Sequence, residues 1–272
     1  MLGKLLKHEW KSVTKVMLPA CLVLVAITIL GRIMMTTRGF DSPNQFVQVL
    51  ASFALVLYVL CLMAVSLLCT VFLGYRFYKT TYTDEGYLLH TLPVSTHEII
   101  LSKAITGAAW SLITSLLLMG SVAVLVLGSV PESEISSLMR DISYGINTYI
   151  GPKFTAWCIL LVFTMIVSSF YSLLWLFAGI SFGQLLPKHK VLGAFIGLAL
   201  GYFVMYIVSL ITMLAGGLMN KAMLMVENSS SFEPVIDYLE TTYLMSFGLT
   251  AVFTVLFYLF TNYMMKKKLN LD

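Results

Sequence analysis

An all-α, polytopic membrane fold is what this sequence predicts: six transmembrane helices, an N-terminal in-plane interface helix and a short cytoplasmic helix between the second and third spans. Three observations carry the prediction. Hydrophobic residues fill 59% of the 272 positions and charged residues only 11%, with a mean hydropathy of +0.90, whereas about a quarter of a soluble domain is charged. The apolar residues fall into runs long enough to cross a bilayer, for which about 20 helical residues suffice. Lysine and arginine, finally, gather on one side of the topology those runs define.

At the N-terminus, Leu2, Leu5, Leu6, Trp10, Val13 and Met17 recur at helical spacing, with Lys4, Lys7, Lys11 and Lys15 opposite. Residues 1–16 therefore read as an amphipathic helix lying in the interface, its lysines towards anionic headgroups. Pro19 is expected to mark the turn into the first span. The pattern is not that of a cleavable signal, which has a short basic region and a small-residue cleavage site.

Six spans follow, at about 17–36, 46–75, 98–130, 153–186, 191–219 and 242–265. With the N-terminus inside, the cytoplasmic segments hold Lys4, Lys7, Lys11, Lys15, Arg76, Lys79, Lys103, Lys188, Lys190, Lys266, Lys267 and Lys268. The outer segments hold Arg32, Arg38, Arg140, Lys153 and Lys221. Twelve against five predicts both termini in the cytoplasm. The second and fourth runs exceed what a bilayer needs, so they are expected to tilt or to extend into the cytosol.

The polar stretch 82–103 interrupts this pattern in the most structured way. Thr81 is placed to cap a short helix, with Asp84 and Glu85 in its first turn, where negative charge suits the helix dipole. Tyr87, Leu88, Leu89 and Leu92 give that helix an apolar side, and Pro93 ends it. Ser95 and Glu98 then form a capping box, with Val94 and Ile99 at the staple positions. A rigid amphipathic knob fixed between two spans is a docking element.

Two outer segments complete the outline. Residues 131–152 are polar and rich in Ser and Gly, which predicts a loop with at most a short helix. Within 220–241, Phe232, Val235, Ile236 and Leu239 face away from Glu233, Asp237 and Glu240, as in an amphipathic helix on the outer surface. The outer segments carry eight acids (Asp41, Glu132, Glu134, Asp141, Glu227, Glu233, Asp237, Glu240) against five bases, a slight lean towards tolerance of cationic substrates, although acidic outer loops also follow simply from lysines being retained inside.

Chemistry-bearing motifs are few. Away from the interfaces, no ionisable residue is expected inside a span, which disfavours an ion-coupled carrier. Gly179-Ile180-Ser181-Phe182-Gly183 has the G-x-S-x-G spacing of a nucleophile elbow, but no histidine lies in a span to act as base, so the small residues read as helix packing. Gly193, Gly197 and Gly201 form a further small-residue seam, open to a helix of this chain or of a second subunit. Phe163, Phe170 and Phe177, seven apart, read as packing or lipid contact. All four cysteines (Cys21, Cys61, Cys69, Cys158) sit in apolar runs and read as buried small hydrophobes, with no disulfide or zinc framework. No G-x-x-x-x-G-K-[ST] occurs. No catalytic, cofactor-binding or metal site is therefore expected, and no nucleic acid as partner.

The arrangement resembles the permease subunits of type-2 ABC exporters, over the whole chain in architecture. The wording Thr83-Asp84-Glu85-Gly86-Tyr87-Leu88-Leu89-His90-Thr91-Leu92-Pro93-Val94-Ser95, leading to Leu101-Ser102-Lys103, is similar to that of the small six-span permeases of Gram-positive bacteria. The resemblance implies one transmembrane permease domain, 1–272, in a bacterial plasma membrane, with residues 81–93 as its coupling helix. It implies that Asp84, Glu85, Gly86, Tyr87, Leu88, Leu89 and Leu92 dock on a separate P-loop ATPase, which binds ATP and Mg. It also implies a second permease, identical or a paralogue, and an amphipathic substrate such as a peptide antibiotic, lipid or drug. Large permeases with ten spans and an extracellular domain do not fit. Two other classes remain: a non-transporting docking or sensor partner, and a stand-alone secondary carrier or membrane enzyme. Co-purification of a P-loop ATPase separates them from an exporter subunit.

Overall fold

The computed structural model describes residues 2–36, 44–83, 85–86, 94–130, 132–186, 188–220 and 233–267. Its long helices are α1 (Leu2–Thr36), α2 (Gln45–Tyr82), α3 (Thr96–Ser129), α5 (Phe154–Gly183), α6 (Lys190–Asn220) and α7 (Glu233–Lys267), with a shorter α4 (Glu132–Gly145) between α3 and α5. The six long helices are each long and apolar enough to cross a membrane, so the chain is a multi-pass helical membrane protein.

Three expectations about the elements change. Pro19 does not break the chain: it lies inside α1, one continuous 35-residue helix. A proline there removes one backbone hydrogen bond, but Val13, Met17, Cys21 and Leu24, all buried, keep one apolar stripe in phase across it. Thr81 caps nothing; it is fully buried in the last turn of α2, which runs on to Tyr82. The expected loop at 131–152 is largely helical, α4 passing into a π-helical turn (Ile146–Ile150) and a 3-10 turn (Gly151–Lys153) before α5. Of the outer segment at 220–241, residues 221–232 lie outside the described residues, and 233–241 belong to α7.

The Ser95–Glu98 capping box opens α3: the Ser95 hydroxyl accepts from the Glu98 N–H, and Glu98 accepts from the Ser95 N–H. Asn44 caps α2 through its side chain, which accepts from the Phe46 N–H at 3.0 Å.

α5 is the central helix. It packs against α2 and α3 on one side and α6 and α7 on the other, while α1 lies mainly along α3. The main core gathers at the end of the bundle that holds the start of α1, the end of α2 and the start of α3. There Phe77 of α2 stacks on Phe177 of α5, ring centroids 3.9 Å apart and planes 11° from parallel. The spaced phenylalanines thus divide: Phe177 is core, whereas Phe163 is exposed.

Gly193, Gly197 and Gly201 face α5 of the same chain. A Cβ on Gly197 would lie 3.0 Å from the Gly179 carbonyl oxygen, and one on Gly201 would meet the Trp175 indole. Where α5 meets α6 the backbones come close at Gly183, where a Cβ would fall 2.5 Å from the Lys190 carbonyl oxygen and 2.7 Å from the Ala194 nitrogen. Backbone cannot swing aside as a side chain can. Gly183→Ala should therefore lower the thermal midpoint of the detergent-purified protein, an overpacking loss of about 1–3 kcal/mol. Gly248→Ala, where a Cβ meets nothing within 4 Å, should leave the midpoint unchanged or raise it slightly.

Candidate functional site

The core end of the bundle is also where charge is concentrated. Glu9 occupies the inner stripe of α1, four residues before Val13, and is buried. Arg76 on α2 donates to Glu9 Oε2, with Nε at 2.8 Å and the salt-bridging terminal nitrogen at 2.7 Å. Lys103 on α3 reaches Glu9 Oε1 at 2.8 Å. Ser12 accepts a further bond from Arg76, and Thr80 one from Lys103. Glu9 and Lys103 side chains are only 11% and 5% exposed. One carboxylate thus ties three helices, and two cations share it.

Two further polar links bind α5 and α7 to this end. The buried Tyr82 hydroxyl donates to Ser181 Oγ at 2.8 Å, and Ser181 donates to the Phe177 carbonyl at 2.8 Å, joining α2 to α5. At the start of α3, His97 meets α7. Its Nε2 faces Lys266 Nζ at 3.2 Å and Asn262 Nδ2 at 3.4 Å, both donors, so Nε2 accepts and Nδ1–H donates to the Tyr258 hydroxyl at 2.9 Å. Thr96 donates to Asn262 Oδ1 at 3.1 Å.

The described ends of the connection between α2 and α3 are rooted in this scaffold. Of the residues expected to dock, Asp84, Tyr87, Leu88, Leu89 and Leu92 lie outside the described residues. Glu85 and Gly86 are described and helical, Glu85 exposed and paired with Lys79 at 2.9 Å. Gly86 is held against the end of α2: its N–H donates to the Thr83 carbonyl at 2.7 Å, and a Cβ would lie 2.4 Å from the Thr81 carbonyl oxygen. Only glycine fits so close a contact. The roots of the connection are therefore fixed on both sides, by Tyr82 and Gly86 before it and by the capped start of α3 after it.

Sequence reasoning assigned Arg76 and Lys103 only to a topological charge excess. Both belong to the buried network at the core end of the bundle. Glu9 was not singled out at all. The signal was present, since an acid on the apolar face of an amphipathic helix demands partners. Ser181, read as packing, does pack, but it also accepts the Tyr82 hydrogen bond. Cys21, Cys61 and Cys69 are buried free thiols, whereas Cys158, also expected to be buried, is exposed on α5. Among the described residues, no group of three or more His, Cys, Asp or Glu is placed to hold a metal. Compared with known proteins, the chain matches no family model, no curated protein and no solved structure.

The two-to-one stoichiometry gives an asymmetric expectation. Glu9→Gln leaves two cations facing each other without a carboxylate, a loss of about 3–5 kcal/mol for breaking a buried pair. Lys103→Met leaves the Glu9–Arg76 pair balanced. Thermal melts should show Glu9→Gln falling far below wild type and Lys103→Met falling much less; equal losses would mean that the charges do not share one site.

Proposed function

We propose that this chain is the transmembrane subunit of an ATP-driven exporter of the type-2 ABC class. It works with a separate P-loop ATPase and a second permease, and it moves an amphipathic substrate across a bacterial plasma membrane. The observation that carries the reading is the mounting of the α2–α3 connection. Its two roots are welded to α1, α5 and α7 through Glu9–Arg76–Lys103, Tyr82–Ser181 and His97–Tyr258. A partner that pushes on the connection pushes on the helices together. ATP closure in the partner would move the docked connection, and the ion network would carry that movement into α1, α2 and α3. A connection that served only as a linker would need no such anchorage.

Because an isolated helix of this length is marginal, the order of the docking segment would come from burial against its partner. Leu88→Ala with Leu92→Ala removes apolar area worth about 2 kcal/mol at each position, hence more than a tenfold loss of association. The double variant should reach the membrane at normal levels yet lose the co-purifying ATPase and its substrate-stimulated hydrolysis. Retention of both would reduce the segment to a linker. In the same membranes, Lys4→Cys, Glu85→Cys and His189→Cys should resist an impermeant thiol reagent in intact cells, while Ser136→Cys reacts. Labelling of Glu85→Cys from outside would overturn the orientation.

A further inference from the structure

The second concentration of polar groups lies away from the charged end, close to the middles of α2, α3 and α5. These three helices enclose a groove of about 340 Å³, at the lower end of the size range of small-molecule sites. Ser66 and Thr70 form its α2 rim, and Ser168 and Ser172 its α5 rim; all four are exposed. Thr114 and Ser169 are buried in its floor, with Ser111 and Ser115 half-buried along α3. Each rim repeats at four-residue spacing, so the hydroxyls face one another across the groove rather than scattering around the helices. No acid, base or histidine lines it.

The hydrogen bonding gives the groove a polarity. Ser66 donates to the Met63 carbonyl at 3.0 Å and Thr70 to Ser66 at 3.1 Å. Ser111 and Ser115 donate to Ala108 and Leu112 at 3.0 and 2.9 Å. Ser168 and Ser172 donate to Met165 and Ser169, each at 3.0 Å. With their protons committed to their own helices, these hydroxyls offer acceptor oxygen to whatever enters. An anion would meet lone pairs, and hydrocarbon would leave them unused. A group with several N–H or O–H donors, above all an ammonium, meets a matching surface.

We infer that the α2–α3–α5 groove is a hydrated ligand site for amphipathic molecules with an ammonium or other donor-rich head. The alkyl part has apolar wall to lie on in Leu118 and Met165. The site is a property of this chain alone and does not rest on ATPase docking. Its test needs neither nucleotide nor partner.

The test uses the full chain in lipid nanodiscs, with Cys21, Cys61, Cys69 and Cys158 replaced by Ala and one cysteine introduced. Ser66→Cys sits on the rim, and Leu67→Cys, one residue along and 60% exposed, faces away at the same depth. Rates with aminoethyl methanethiosulfonate, normalised to a free thiol in solution, should be at least tenfold higher at Ser66→Cys. The sulfonatoethyl reagent, normalised likewise, should be slower than the ammonium reagent there. Dodecylammonium should protect Ser66→Cys while dodecyl sulfate does not, and adding Ser115→Ala and Ser111→Ala should weaken that protection. Ser172→Cys on the opposite rim repeats the measurement if Ser66→Cys fails to yield a monodisperse protein. Equal rates at Ser66→Cys and Leu67→Cys would show a groove filled with lipid or with a second chain, and equal protection by the two detergents would show mere hydrophobic occupancy. Either result overturns the inference.

Discussion

The Glu9 carboxylate, shared by Arg76 and Lys103, is the interaction on which the rest of the bundle depends. Between helices surrounded by lipid the hydrophobic effect contributes little, because lipid tails are as apolar as the side chains they would replace. Helix position must then come from close packing and from polar links. A single carboxylate that accepts from two helices sets the height and rotation of α1 against both α2 and α3. It also explains why α1 continues through Pro19: the stripe from Glu9 through Val13, Met17, Cys21 and Leu24 stays on one partner surface.

That network belongs to a dense set of links at one end of the bundle, with a smaller core of Leu24, Cys61 and Val65 farther along. The stacked Phe77–Phe177 pair, the Tyr82–Ser181 bond and the His97 cluster all lie at the end that carries the charges. Farther along, α2, α3 and α5 line a groove whose serines, with Thr70, each donate to a carbonyl of their own helix. Close packing at one end gives way to an open polar groove beyond. The small-residue contact of α5 with α6, close enough at Gly183 to exclude a Cβ, keeps the second half of the bundle attached to the first.

Much of the scaffold could be read from residues. Six apolar runs predicted six long helices, and Ser95 with Glu98 marked the start of α3, because a capping box is satisfied within four residues of chain. The small-residue seam on α6 was equally visible as a pattern. Its partner was not, since any helix with a flat face can accept a glycine ridge; the structure supplies α5. Pro19 misled because its local cost outweighed, in the reading, a long-range stripe that keeps the helix continuous. The stretch 131–152 misled for a related reason: its serines favour loops locally, yet they alternate with Ile135, Leu138, Met139 and Ile142 at a helical spacing that α4 uses.

The sequence by itself determined what local composition and period can determine: a helical membrane protein, the approximate course of its spans, and the capped start of the third. Only the tertiary structure decided that Glu9, Arg76 and Lys103 share one site, that Tyr82 finds Ser181, and that hydroxyls from three helices line one groove. The physical reason is the rotation of each helix about its own axis. Composition fixes that a segment is helical and apolar, but which face turns inward depends on partners tens to about a hundred residues away, as Glu9 does on Arg76 and Lys103 and Tyr82 does on Ser181.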